Sequence, residues 1–318
     1  MKAIVIEKFG IENIEVKDIN DKSDGIPVKI TMAGLNPVDY SVINGNIMYG
    51  VNPMPHIPGS EAIGIAMADG DYIKRGDRVI IYNRIFDGTC EECITGNEHL
   101  CVNGGILGVI SNGVYRETMN VPERNLFKIP DSIKDELAAS MGVGALTAYR
   151  ALKTMNVEPG KSILVYGAGN TGIFTVQLAR MLGLEVYAVS RKNDLQRYGI
   201  NVFNNVPDDF KADYIVNPLG GSIFEDSLKH IKRNGKIVTF GILTGREAKI
   251  DIGNIYANEI KIYGSTGGTR KDLFELIRIA SMNDLYLPVE KTFSLWDLKD
   301  AITEFKNRNT GRILLKVS

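Results

Sequence analysis

The residues Gly167-Ala168-Gly169-Asn170-Thr171-Gly172 form a G-x-G-x-x-G turn. The pattern alone is weak, because glycines are common. Here it directly follows the apolar run 162–166 and opens the helical stretch 173–182, the setting in which such a turn holds a dinucleotide. Gly167 permits the tight turn, Gly169 lets the backbone approach a pyrophosphate, and Gly172 allows close helix–strand packing. Asn170 and Thr171 stand at the helix N-terminus, where free N–H groups and the positive end of the dipole meet phosphates. The alternative is a glycine-rich strand-to-helix turn with no ligand.

The next strand, at 185–190, ends in Ser190-Arg191-Lys192. An NAD-specific site presents Asp or Glu at this point to the ribose hydroxyls. A hydroxyl and two cations instead suit a 2′-phosphate through charge-assisted hydrogen bonds, so NADP(H) is the expected cofactor. The alternative is a solvated basic turn.

All three cysteines lie close together, in Asp87-x₂-Cys90-x₂-Cys93-x₇-Cys101. Three thiolates and a carboxylate on one compact loop suit tetrahedral zinc, one ion per chain. Four protein ligands leave no open position, so the metal would be structural. Three free thiols, or a Cys90–Cys93 disulfide in an unusual thermophile, are the alternatives.

These groups need a scaffold, and 318 residues exceed the size at which one core usually keeps growing, so two domains are expected. The first third has short β-branched runs at 2–7, 27–32, 62–66 and 77–82, punctuated by glycines, which points to a small antiparallel β domain. A helical stretch follows at 135–153. Strands at 162–166, 185–190, 214–217, 236–240 and 259–263 then alternate with helices at 172–182 and 223–232, as in a parallel sheet covered on both faces. Helices at 270–282 and 295–308 and a strand at 312–317 complete the chain. The formal charge of −1 argues against a nucleic-acid partner. No apolar run is long enough to span a membrane, and the opening residues start a strand rather than a signal peptide, so a cytoplasmic location is expected.

Taken in order, several segments resemble the medium-chain dehydrogenase/reductase superfamily of zinc alcohol dehydrogenases and quinone oxidoreductases. They are Met1-Lys2-Ala3, Ala33-Gly34-Leu35-Asn36-Pro37-Val38-Asp39, Ile57-Pro58-Gly59-Ser60-Glu61, Gly76-Asp77-Arg78-Val79, the cysteine lobe, Leu146-Thr147-Ala148-Tyr149, the glycine turn and Thr310-Gly311-Arg312-Ile313-Leu314. The resemblance implies an α/β protein: a GroES-like β-rich catalytic domain (1–125), a doubly wound parallel Rossmann domain (126–264) and a C-terminal return to the catalytic domain (265–318). It also implies further cofactor contacts at Thr147, Pro218, Phe240, Gly241, Ile242, Ser265 and Arg312, although Arg312 can alternatively serve to cap the C-terminal piece. It implies a homodimer or homotetramer pairing through the strand at 259–263.

Zinc-dependent members of that superfamily carry Cys where this chain has Asn36, His where it has Ser60, and Cys or an acid where it has Val143. A catalytic zinc, which needs about three protein ligands, is therefore not expected. The segment 34–39 is similar to the quinone oxidoreductase and enoyl reductase branch, which works without metal. The expected function is NADPH-dependent reduction of a quinone or an α,β-unsaturated carbonyl compound. Asn36 is expected as a donor to the substrate carbonyl, Asp39 as a loop-orienting or proton-relaying group, and Tyr49 as a proton donor by resemblance to enoyl reductases. The alternatives are a zinc-containing alcohol or aldehyde dehydrogenase, and an NADPH-binding protein with little chemistry.

Overall fold

The computed structural model describes the chain except residues 22, 48, 49, 52, 191, 192, 308–310 and 318, and the side chains of residues 193, 194 and 197. The chain divides into two compact units, Met1–Gly144 with Thr269–Ser318, and Ala145–Gly268. These boundaries differ from the expected 125/126 and 264/265. Leu126–Lys128 pairs with Arg78–Ile81 and so extends the first unit.

The second unit is built on six parallel strands. Their order is Asn201–Phe203, Glu185–Val189, Ser162–Tyr166, Ala212–Asn217, Ile231–Thr239, Lys261–Gly264. Ser162–Tyr166 is buried at every residue, which explains why it reads as an unbroken apolar run. The chain adds strands to one side of it first and then to the other. The sheet therefore has a switch point between Ser162–Tyr166 and Ala212–Asn217, where ligands of open α/β sheets bind beyond the carboxyl ends of the strands.

Two expected helices are cut short. The helix expected at 223–232 is Gly221–Ser227, because Ile231 already pairs with Ala212 in the sheet. The stretch at 135–153 divides into the helix Asp135–Ala138, a π-helical turn Met141–Ala145 and the helix Leu146–Met155. Gly142 and Gly144, poor helix formers, sit inside the π turn.

The first unit carries a sheet in the order Val289–Ser294, Arg312–Lys316, Ile26–Gly34, Ala62–Ala66, Arg78–Ile81, Leu126–Lys128, with Thr118–Val121 also on Ile26–Gly34. Along Ile26–Gly34, Ile26, Val28 and Ile30 point inward while Pro27, Lys29 and Thr31 are more exposed, a period-two alternation. Their core includes Ile4, Leu35, Ile81, Ile313 and Leu315. The strand Arg312–Lys316 thus ties the C-terminal segment to the N-terminal one by antiparallel pairing at Gly34, Ala33 and Met32. Among the described residues, no helix is long and apolar enough to cross a membrane.

Candidate functional site

Asn36 and Asp39 begin the short helix Pro37–Ile43. Asn36 is its N-cap and Pro37, with its fixed φ, opens the first turn. Asp39 at the third position reaches back, and its Oδ2 accepts the Asn36 N–H at 2.8 Å. Both residues are buried, as are Ser60 and Glu61 just before the strand Ala62–Ala66.

The Asn36 amide is held on both sides. Its Nδ2 donates to Glu61 Oε2 at 3.0 Å, and its Oδ1 accepts from Arg312 Nη1 at 2.8 Å. Arg312 opens the last strand, and each nitrogen of its guanidinium is engaged: Nε on Ser140 Oγ at 3.1 Å, Nη1 also on the Leu35 carbonyl at 3.0 Å, and Nη2 on Glu61 Oε2. The other Glu61 oxygen accepts the N–H groups of Val143 (2.5 Å) and Gly144 (3.3 Å) in the π turn. Buried charge is tolerable only when paired and hydrogen-bonded, and here both ions are. The network also requires Gly34, since a Cβ there would lie 1.9 Å from Arg312 Nη2 and 2.7 Å from Glu61 Oε2.

Asp39 faces a different set of neighbours. The Tyr115 hydroxyl lies 3.1 Å from its Oδ2 and 3.1 Å from the Gly34 carbonyl. Burial pushes the Asp39 carboxyl up to about 6, against the opposing pull of the Ser60 hydroxyl, the Asn36 N–H and the Tyr115 hydroxyl, and the nearby Glu61 charge adds to the rise. Ser60 Oγ is close enough to favour the charged carboxyl, yet it finds no partner with hydrogen-bond geometry. Burial also drives the Tyr115 hydroxyl well above its ordinary value, so it stays protonated.

In the second unit, the cofactor residues expected from sequence gather at one edge. Gly167 follows the strand Ser162–Tyr166, Ser190 follows Glu185–Val189, Pro218 follows Ala212–Asn217, Phe240, Gly241 and Ile242 follow Ile231–Thr239, and Ser265 follows Lys261–Gly264. Thr147 lies in the first turn of the helix Leu146–Met155. Gly167 has φ +87°, and added Cβ atoms at Gly167 and Gly169 would meet open space, as a cradle for a pyrophosphate requires. A Cβ at Gly172 would fall 1.9 Å from the Gly167 carbonyl oxygen, so that glycine closes the turn. Ser265 Oγ is buried without a hydrogen-bond partner at this same edge. These features fit a dinucleotide; the hydride it carries when bound is the chemistry it would supply.

Arg312 belongs to the first unit, where it contacts Asn36 and Glu61. Arg191, Lys192 and Tyr49 lie outside the described residues.

The cysteine lobe is compact. One ligand atom from each of Asp87, Cys90, Cys93 and Cys101 lies within 4.8 Å of the others. Cys90 Sγ is 3.5 Å from Cys93 Sγ and 3.8 Å from Cys101 Sγ. Thiolates at about 2.3 Å from a tetrahedral zinc stand roughly 3.8 Å apart, so the donor set fits that ion. Asp87 is held in place as a carboxylate: Asn103 Nδ2 donates to Oδ2 at 2.5 Å, and the N–H groups of Thr89 and Cys90 donate to Oδ1. Those donors hold its carboxyl far below the usual range.

Sequence reasoning singled out Asn36 and Asp39 but missed Tyr115 and Ser140, which complete their surroundings. Glu61 carried a signal, being a carboxylate inside the apolar stretch 57–66. Tyr115 carried none, since its partner is 76 residues away.

A family model described as the alcohol dehydrogenase GroES-like domain matches residues 22–131, and one described as zinc-binding dehydrogenase matches residues 171–282. The chain is 32% identical to an alcohol dehydrogenase of Geobacillus stearothermophilus, with 100% of both chains covered. It is 26% identical to an acryloyl-coenzyme A reductase of Metallosphaera sedula over 99% of each. The solved structure of a thermostable alcohol dehydrogenase from Pyrobaculum aerophilum matches with a TM-score of 0.92 and 32% identity, covering 99% of each chain.

Proposed function

The chain belongs to the medium-chain dehydrogenase/reductase superfamily and is an oxidoreductase, and we propose that it uses NADPH to reduce quinones or α,β-unsaturated carbonyl compounds without a metal at the reacting centre. The observation that carries this reading is the clamp on Asn36. Its amide is fixed between Glu61 and Arg312, its neighbour Ser60 is a hydroxyl, and Val143 offers only a backbone N–H. That group lacks the three ligands a catalytic zinc needs, and its one carboxylate is already neutralised by Arg312.

Without a Lewis acid, an alkoxide developing from a simple alcohol has nothing to stabilise it. A conjugated acceptor instead spreads the incoming electron pair onto its own carbonyl oxygen, which then needs a hydrogen-bond donor. The Asn36 amide keeps a second N–H for that oxygen, and Arg312 and Glu61 fix its orientation. Asp39, with its carboxyl raised to about 6, keeps its proton to a higher pH than an ordinary carboxyl, and it orients Tyr115 and the Asn36 backbone beside it. The relative named acryloyl-coenzyme A reductase supports an acceptor of this electronic type. Choice of NADPH rests on the turn Ser190-Arg191-Lys192, and zinc in the cysteine lobe is structural.

Stopped-flow absorbance tests the reading. Bound NADPH should be consumed on adding an enal or a quinone, at a rate unaffected by added zinc. Chelator-sensitive oxidation of a primary alcohol, with no enal or quinone turnover, would replace it with an alcohol dehydrogenase. Nucleotide binding without turnover of any acceptor would leave a binding protein.

The assembly we propose is a homodimer paired through Lys261–Gly264. That strand is at the end of the sheet, and Leu243, Ile252 and Tyr256 are 66%, 62% and 77% exposed in the segment leading to it. A bare strand edge with exposed apolar residues favours pairing with a second copy. Light scattering should give twice the chain mass, and a monomer for Tyr256→Glu; a monomeric parent removes the proposal.

A further inference from the structure

A pocket of about 340 Å³ opens in the first unit, lined by residues between Asp21 and Asn125 and by none of Asn36, Asp39, Ser60, Glu61 or Arg312. Its volume is that of a small-molecule site. We propose that it binds a small organic monocarboxylate, with the carboxylate on the Arg116 guanidinium and the apolar body against Phe86 and Met119.

Arg116 is only 4% exposed, yet its guanidinium makes a single hydrogen bond, from Nη1 to Asp21 Oδ2 at 2.9 Å. Its Nε is buried with no partner. A guanidinium carries five N–H donors in a fixed fork, and a buried one with most of them unspent is costly unless an acceptor arrives. Asp21 does not supply a second point of contact, because its Oδ1 accepts the N–H and hydroxyl of Ser23 at 3.0 and 2.7 Å. A ligand carboxylate can take the remaining edge of the fork.

The wall supports a monoanion with an apolar body. Among the described lining residues are three arginines and two aspartates, a wall that favours an anion. Asn112 spends its Oδ1 on the Ile57 N–H at 3.0 Å, which leaves its amide N–H groups as a second donor set. Phe86 is held as a fixed apolar face: the Arg124 guanidinium lies 4.4 Å from its ring centroid, and Arg124 Nη2 donates to its carbonyl at 2.7 Å. Met119 adapts its shape to what sits against it.

Isothermal titration of the full chain with hexanoate, benzoate and the neutral hexanamide tests this. Saturable binding of at least one carboxylate is expected, with affinity at least about tenfold weaker for hexanamide. Arg116→Gln should lower the carboxylate affinity by about tenfold or more. Met119→Trp, which keeps the charges and fills the space, should do the same, and it carries the test if Arg116→Gln does not fold. No carboxylate binding, equal binding of hexanamide, or unchanged affinity in the folded variants would overturn the proposal.

Discussion

The Tyr115 hydroxyl stands 3.1 Å from both Asp39 Oδ2 and the Gly34 carbonyl oxygen, so one proton faces two acceptors. If Asp39 is protonated the conflict disappears, because the carboxyl can donate to Tyr115 while Tyr115 donates to Gly34. Geometry and burial thus agree on a carboxyl that keeps its proton longer than usual.

Stability should therefore depend on pH through Asp39. Its ordinary value is 3.8 and its folded value about 6, so folding favours the protonated form. Below the unfolded value both states hold the proton and there is no penalty. The penalty grows as pH rises through that interval, reaching about 3 kcal/mol above it. Asp39→Asn should accordingly gain stability relative to the parent between about pH 4 and about pH 7. Thermal melts of both proteins across that range would show it, and a constant difference in Tm would remove the idea.

The Glu61–Arg312 pair is inside the protein, each side chain 1% exposed. Arg312→Met leaves Glu61 buried without its cation and should cost about 3–5 kcal/mol in urea unfolding. Glu61→Gln combined with Arg312→Met should recover part of that loss, because no charge then remains unpaired. Losses that simply add would show that the two residues act separately.

For the cysteine lobe, purified protein should contain about one zinc per chain by elemental analysis, and Cys93→Ser should lower both the zinc content and the Tm. Substantially less than one zinc in the parent would mean the four side chains are clustered for another reason.

For the cofactor, Arg191→Ala should weaken NADPH by roughly tenfold or more while leaving NADH nearly unchanged, since only the former carries a 2′-phosphate. Fluorescence titration with both nucleotides decides this. Equal losses would point to NAD.

The glycine turn, the strand before it and the helix after it were all legible in the sequence, because each depends on neighbours a few residues away. The spacing Asp87, Cys90, Cys93, Cys101 was legible for the same reason, since one short loop brings the four side chains together. The helix ending at Ser227 was not, because pairing of Ile231 with Ala212 overrides local periodicity. Nor was the setting of Asn36. Its amide is held by Glu61 and Arg312, 25 and 276 residues away, and sheet pairing of the first and last segments brings them together. Sequence alone thus determined which side chains were absent from a zinc site. Only the tertiary structure decided what stands there instead, because a buried ion pair and a raised carboxyl come from segments far apart in the chain that the sheet brings together.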